Sequence, residues 1–116
     1  MPAVRPLCDT VLSKFHFSAP AEPGFLERLP QGRTLVIAGC EAHVCVLQTT
    51  IALIEAGHPV KWVADAVGSR HAADRAAATA RARAAGADVV TTEMVIFEWL
   101  GTSQHPKFKR LLQLVR

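Results

Sequence analysis

Four consecutive apolar residues, Leu35, Val36, Ile37 and Ala38, make a run of the length and type of a buried strand. Gly39 punctuates it, and a tight turn follows through Cys40, Glu41, Ala42 and His43. The pattern then changes period. Val46, Thr49, Thr50, Leu53 and Ile54 recur at helical spacing, and Gly57 is a C-terminal stop. This strand–turn–helix unit, residues 34–57, is expected to hold the central strand. Residues 59–64, PVKWVA, form a second short strand of β-prone residues, with residues 65–68 as its exit loop. Ser69 is the expected N-cap of a long Ala/Arg helix ending at Gly86. Residues 88–91 form a third strand. Thr92 then caps a short helix stopped by Gly101. Pro106 starts a final amphipathic helix whose apolar stripe is Phe108, Leu111, Leu112 and Val115. Ahead of these elements, Pro2, Pro6, Pro20, Pro23 and Pro30 break up any long helix. Residues 1–10 therefore read as irregular, and a short helix fits only after Pro23.

Strand and helix alternate three times, which predicts an α/β fold with a parallel sheet and right-handed crossovers. The ligand crevice of such a sheet lies beyond the carboxyl ends of its strands. Residues 39–45 and 65–69 fall at those ends.

Composition narrows the function classes. With 116 residues, half of them hydrophobic, the chain can build one domain around one core. The net charge is only +3, and the basic residues are scattered without aromatic interleaving, so nucleic acid is not an expected partner. No apolar run approaches the roughly 20 residues that span a membrane. Three cysteines, an odd number without a CxxC pair or a secretory segment, point to a reducing, cytoplasmic setting.

Candidate chemistry concentrates at Cys45. A thiol in the first turn of a helix meets unpaired backbone N–H groups and the positive end of the dipole, which favour a thiolate nucleophile. A small buried hydrophobe is the competing role for such a cysteine. The turn carries one glycine and a glutamate, so it does not match the G-x-G-x-x-G of a dinucleotide site. Cys40, His43 and Cys45 lack the second ligand pair of a structural zinc site, and no metal or other cofactor is expected. A G-x-S-x-G serine elbow is absent.

The segments GCEAHVCVLQT, AGHPVKWVADAVGSR and AGADVVTTEMVIFEWLG resemble the corresponding parts of the isochorismatase-like cysteine hydrolases. That family includes isochorismatase, nicotinamidase and small amidohydrolases. The resemblance begins near Val11 and runs essentially to Arg116. It implies a three-layer α-β-α, Rossmann-like parallel sheet, and a single but partial domain over residues 1–116, truncated at its N-terminus. It further implies that Cys45 is the nucleophile and Lys14 a second member of its triad, a cation favouring the thiolate. By the same resemblance, a cis peptide between Cys40 and Glu41 aims the backbone N–H groups of Glu41 and Cys45 at the substrate carbonyl as an oxyanion hole. His43 is a weaker candidate for the pocket rim.

The third triad member in that family is an aspartate on a strand upstream of the lysine, and no residue here matches it. Asp9 lies close to the lysine segment but outside that motif, and Asp65 and Asp88 read as structural. Two functional expectations follow. One is a cysteine hydrolase, homo-oligomeric, acting on a small amide or related C–N or C–O bond. The other is a non-catalytic remnant or interaction subunit that lacks the aspartate.

Overall fold

The computed structural model describes residues 5–115. Strand β1 spans Leu35–Cys40, β2 Val60–Gly68 and β3 Asp88–Val90, and all pair in parallel in the order β1-β2-β3. Helix α1, Leu47–Glu55, links the first two strands. Helix α2, Ala72–Ala84, links the second and third. Helices α3, Thr92–Leu100, and α4, Phe108–Leu112, follow. Single 3₁₀ turns occur at Arg5–Leu7, Ala19–Ala21 and Leu26–Arg28, the last where a short helix is expected after Pro23.

The layers follow from side-chain alternation along the strands. Ile37, Trp62 and Val89 share one face of the sheet, and Ile51 and Ile54 of α1 with Ala78 and Ala82 of α2 pack over it. Small alanines let α2 lie close to the strands. Trp62 is fully buried, and its indole N–H donates to Thr79 Oγ1 at 3.2 Å. On the opposite face Val63 and Val90 pack with Val95 of α3. Lys61, on that same face, pairs with Asp88 at 2.6 Å and with Glu98 of α3 at 3.0 Å. Hydrogen bonds to Asp88 and then Glu98 raise its pKa, so it stays cationic.

The central strand is β2, not β1. Val60, Trp62, Val63 and Val67 are buried, whereas β1 alternates half-buried and exposed residues and lies at an edge. Leu35 N–H donates to Pro59 C=O at 2.8 Å, so Leu35 and Ile37 turn their backbone groups toward β2. Val36 and Ala38 turn theirs to the open edge. Their side chains lie on the face that α3 leaves bare, and Val36 is 39% exposed. The stretch expected as the exit loop of the second strand also belongs to β2. After a bulge that shifts the register between Ile37 and Gly39, Gly39 pairs with Val67 and Cys40 with Gly68.

Helix ends differ from expectation by where hydroxyls find partners. Thr91, not Thr92, caps α3, accepting from Met94 N–H at 3.3 Å. Thr92 gives both its N–H and its hydroxyl to Asp65, at 2.8 and 3.1 Å. His71 occupies the N-cap of α2, and Ser69, expected there, lies ahead of the helix with its hydroxyl at His43. Gly101, at φ 67°, ends α3 as expected. The stripe of α4 is half-buried, with Phe108 edge-on to Phe97 at 6.0 Å. Among the described residues no helix is long and apolar enough to cross a membrane.

Candidate active site at the carboxyl end of strand β1

The chain leaves β1 through two unusual residues. Gly39 has φ 151°, and a Cβ there would meet Val46 Cγ2 at 3.4 Å, so the strand end and the following turn approach closely. Glu41 has φ 59° and ψ 56°, the left-handed region, which costs a residue with a Cβ about 1–3 kcal/mol. The peptides of the described residues are all trans, so the expected cis bond between Cys40 and Glu41 is not formed. Left-handed Glu41 together with Gly39 reverses the chain without it.

Cys45 lies in a π-helical turn, Ala42–Val46, rather than in the first turn of a regular helix. Glu41 C=O accepts from Val44 N–H at 3.0 Å and from Val46 N–H at 3.4 Å. The wide turn fits between a left-handed residue and the start of α1, and such turns gather at functional sites. It is packed from below: Ala42 and Val46 are buried against Leu47, Trp62 and Val67. Cys45 is half-buried and Cys40 exposed.

Lys14 lies in a loop that folds around Glu22. The Glu22 carboxylate accepts Phe15 N–H at 2.6 Å and His16 N–H at 2.8 Å, and meets His16 Nδ1 at 2.9 Å. The Lys14 ammonium donates to the carbonyls of His16 and Phe17, at 2.9 and 3.2 Å. The loop docks on the start of α1. Ala19 N–H donates to Thr49 Oγ1 at 3.0 Å, and Ser18 Oγ to Gln48 C=O at 3.4 Å. Ser18 and Ala19 thus anchor the loop that carries Lys14 to the helix that follows Cys45. Lys14 lines a hollow of about 200 Å³ with Ser13, Glu22 and Arg28, and Cys45 is not part of that lining.

His43 is half-buried in the same turn as Cys45. Its Nδ1 meets Ser69 Oγ at 2.9 Å, and its Nε2 lies 3.7 Å from Glu41 and 3.8 Å from Asp74. Arg70 Nε is 3.3 Å from the other oxygen of Glu41. Ser69, Arg70 and Asp74 therefore converge on the turn from the end of β2 and the start of α2. Sequence reasoning placed Ser69 near the crevice but gave it a capping role, and it passed over Arg70 and Asp74. The available signal was a polar cluster directly after the second strand. Asp65 and Asp88 carry the structural roles described above, one at Thr92 and one at Lys61.

Residues 1–94 match the family model described as the isochorismatase domain. Human isochorismatase domain-containing protein 2 is 38% identical over 113 residues, 97% of this chain and 53% of that protein. The MAR1 ribonuclease of Caenorhabditis elegans superposes with a TM-score of 0.79 at 42% identity, covering 88% of this chain and 53% of that one. The YcaC gene product of Escherichia coli, an octameric hydrolase of unknown specificity, gives a TM-score of 0.70 at 26% identity, covering 89% of this chain and 58% of that one. The chain spans about half the length of the curated relatives it matches.

Proposed function

The chain belongs to the isochorismatase family, and on that premise we propose that it is a cysteine hydrolase acting on a small amide or related C–N or C–O bond. Cys45 is the nucleophile, and Lys14 supports its thiolate. The observation that carries this reading is the placement of Cys45 in a π turn at the carboxyl end of β1, with the Lys14 loop docked on the helix just beyond. The thiolate attacks the substrate carbonyl carbon, and the backbone N–H groups of Glu41 and Cys45 receive the developing oxyanion. The amine or alcohol leaves with a proton drawn from solvent, and water then hydrolyses the thioester and restores the Cys45 thiol, slowly where no residue supplies general acid–base help. His43 borders the pocket. Residues 1–116 act as one partial domain that needs no metal or other cofactor and works in the cytoplasm. The partner besides the small substrate is a further copy of this chain. The octameric E. coli relative supports that homo-oligomer.

A second reading, an interaction subunit without turnover, is favoured by the open edge of β1 and the bare face at Val36 and Ala38. Mass spectrometry after incubation with a panel of small amides and activated esters separates the two. RNA cleavage is assayed separately, because the C. elegans relative is named a ribonuclease and RNA has no acyl group to leave on a thiol. An acyl adduct mapped to Cys45 and absent from Cys45→Ala supports the hydrolase. A Cys45 that no member of the panel modifies supports the subunit.

A further inference from the structure

We propose that the hollow beside Lys14 binds a small zwitterion, an α-amino acid with an apolar side chain. Arg28 takes its carboxylate and Glu22 its ammonium. Cys45 is not part of the lining, so this site stands apart from the hydrolase reading. The hollow, of about 200 Å³, has apolar walls from Leu12, Pro23 and Phe25 and charged ones from Lys14, Glu22 and Arg28. The charged groups are not equally occupied. Glu22 receives the Phe15 N–H, the His16 N–H and the His16 ring all at one oxygen, Oε1. Its Oε2 has no hydrogen-bond partner among the described residues. Lys14 gives two of its three N–H groups to the carbonyls of His16 and Phe17. Arg28 is exposed, and among the described residues its guanidinium makes no hydrogen bond or ion pair.

Glu22 and Arg28 thus share one small hollow with opposite charges and do not pair with each other. Among the described residues the ion pair of Glu22 is with His16. The hydrogen bonds from His16, backbone first, hold the Glu22 carboxyl at about 2, so both charges persist near neutrality. An anion alone in the hollow meets the Glu22 carboxylate, and a cation alone meets Lys14 and Arg28. A ligand that carries both charges satisfies both ends. Its apolar side chain then lies against Leu12, Pro23 and Phe25, the mix of apolar wall and few polar groups that fixes a small ligand. Leucine has the size that this volume admits.

Titration of the isotope-labelled chain with L-leucine tests the site, read by NMR at the Phe15 and His16 amides that bond to Glu22. Saturable shifts with a Kd of about 1 mM are expected, as for a small ligand held by two charged contacts. Isocaproate keeps the side chain and carboxylate of leucine and lacks the ammonium. Isoamylamine keeps the side chain and ammonium and lacks the carboxylate. Each should bind at least about 10-fold more weakly, the loss of one charge-assisted hydrogen bond. Arg28→Gln changes an exposed side chain that bonds to nothing else, so the fold should persist. It should weaken leucine about 10-fold and should not weaken isoamylamine, which has no carboxylate to lose. No saturable shift with leucine up to about 100 mM overturns the proposal. So does isocaproate or isoamylamine binding as tightly as leucine, or an Arg28→Gln variant that binds leucine like wild type. Neither the probes nor the variant involves Cys45, and these failures leave the hydrolase reading standing.

Discussion

The Glu22 carboxylate accepts the backbone N–H of His16 at 2.8 Å and meets the ring Nδ1 of the same residue at 2.9 Å. With the Phe15 N–H added, one carboxylate organises the loop that carries Lys14. The hydrogen bonds from His16, backbone first and then ring, hold its pKa at about 2, well below the ordinary 4.5. A depressed carboxylate pKa adds stability above the unfolded value and loses it as pH falls through the folded one. The loop is therefore held fully above about pH 4.5 and released between there and about pH 2. Glu22→Gln should expose the Phe15 and His16 amides to several-fold faster hydrogen exchange near neutrality, with the difference from wild type vanishing near pH 2. A Glu22 carboxyl that titrates near 4.5 by NMR would contradict this.

Trp62 fills the layer between sheet and helices with no exposed surface. Trp62→Ala should cost about 3–5 kcal/mol in denaturant unfolding, from lost transfer energy and the cavity left behind. A cost below about 1 kcal/mol, which is typical of surface changes, would show that this core is not what holds the sheet.

Among the described residues β1 has no strand on the side away from β2, its sequence carries no charge or proline, and Val36 and Ala38 are exposed there. Such an edge recruits other strands. The 116-residue chain should self-associate at micromolar concentration, and Val36→Lys should shift it toward monomer in sedimentation. A wild-type monomer that unfolds cooperatively would contradict the expectation.

Much of this architecture was legible in short patterns. The apolar run from Leu35 predicted β1, Gly101 marked the end of α3, and the Phe108 stripe faces inward as its spacing requires. Local pattern could not show which strand is central, because β2 owes its burial to helices on both of its faces. It also hid the return of β2 to pairing after its bulge, which depends on Gly39 and Cys40 reaching Val67 and Gly68. At the site, the strand–turn–helix pattern located Cys45, and Lys14 came from family resemblance. The left-handed trans turn was not visible, since glutamate rarely adopts that conformation. Nor was the pairing of His43 with Ser69, a contact 26 residues apart that no periodicity encodes.

Turnover should fall short of attack. In the proposed reaction Cys45 forms a covalent adduct, but releasing the leaving group and breaking the thioester call for general acid–base help worth about 10²–10⁴-fold. The family resemblance implies an upstream aspartate for that work, and none of these 116 residues is matched to it. The 116-residue chain should acylate at Cys45 and stall, with at most trace amidase activity on nicotinamide, and a strand carrying that aspartate supplied in trans should raise the rate. Steady multiple turnover that Cys45→Ala abolishes would contradict this and make Asp9 the first residue to test.

The nucleophile assignment is tested most directly by peptide-mapped iodoacetamide labelling of the folded chain across pH, with Lys14→Ala alongside. Cys45 should be labelled before Cys8 and Cys40 near neutral pH, although it is the less exposed thiol, and Lys14→Ala should slow Cys45 selectively. Labelling of Cys8 first, with Cys45 inert in folded protein, would contradict the assignment of Cys45 as nucleophile.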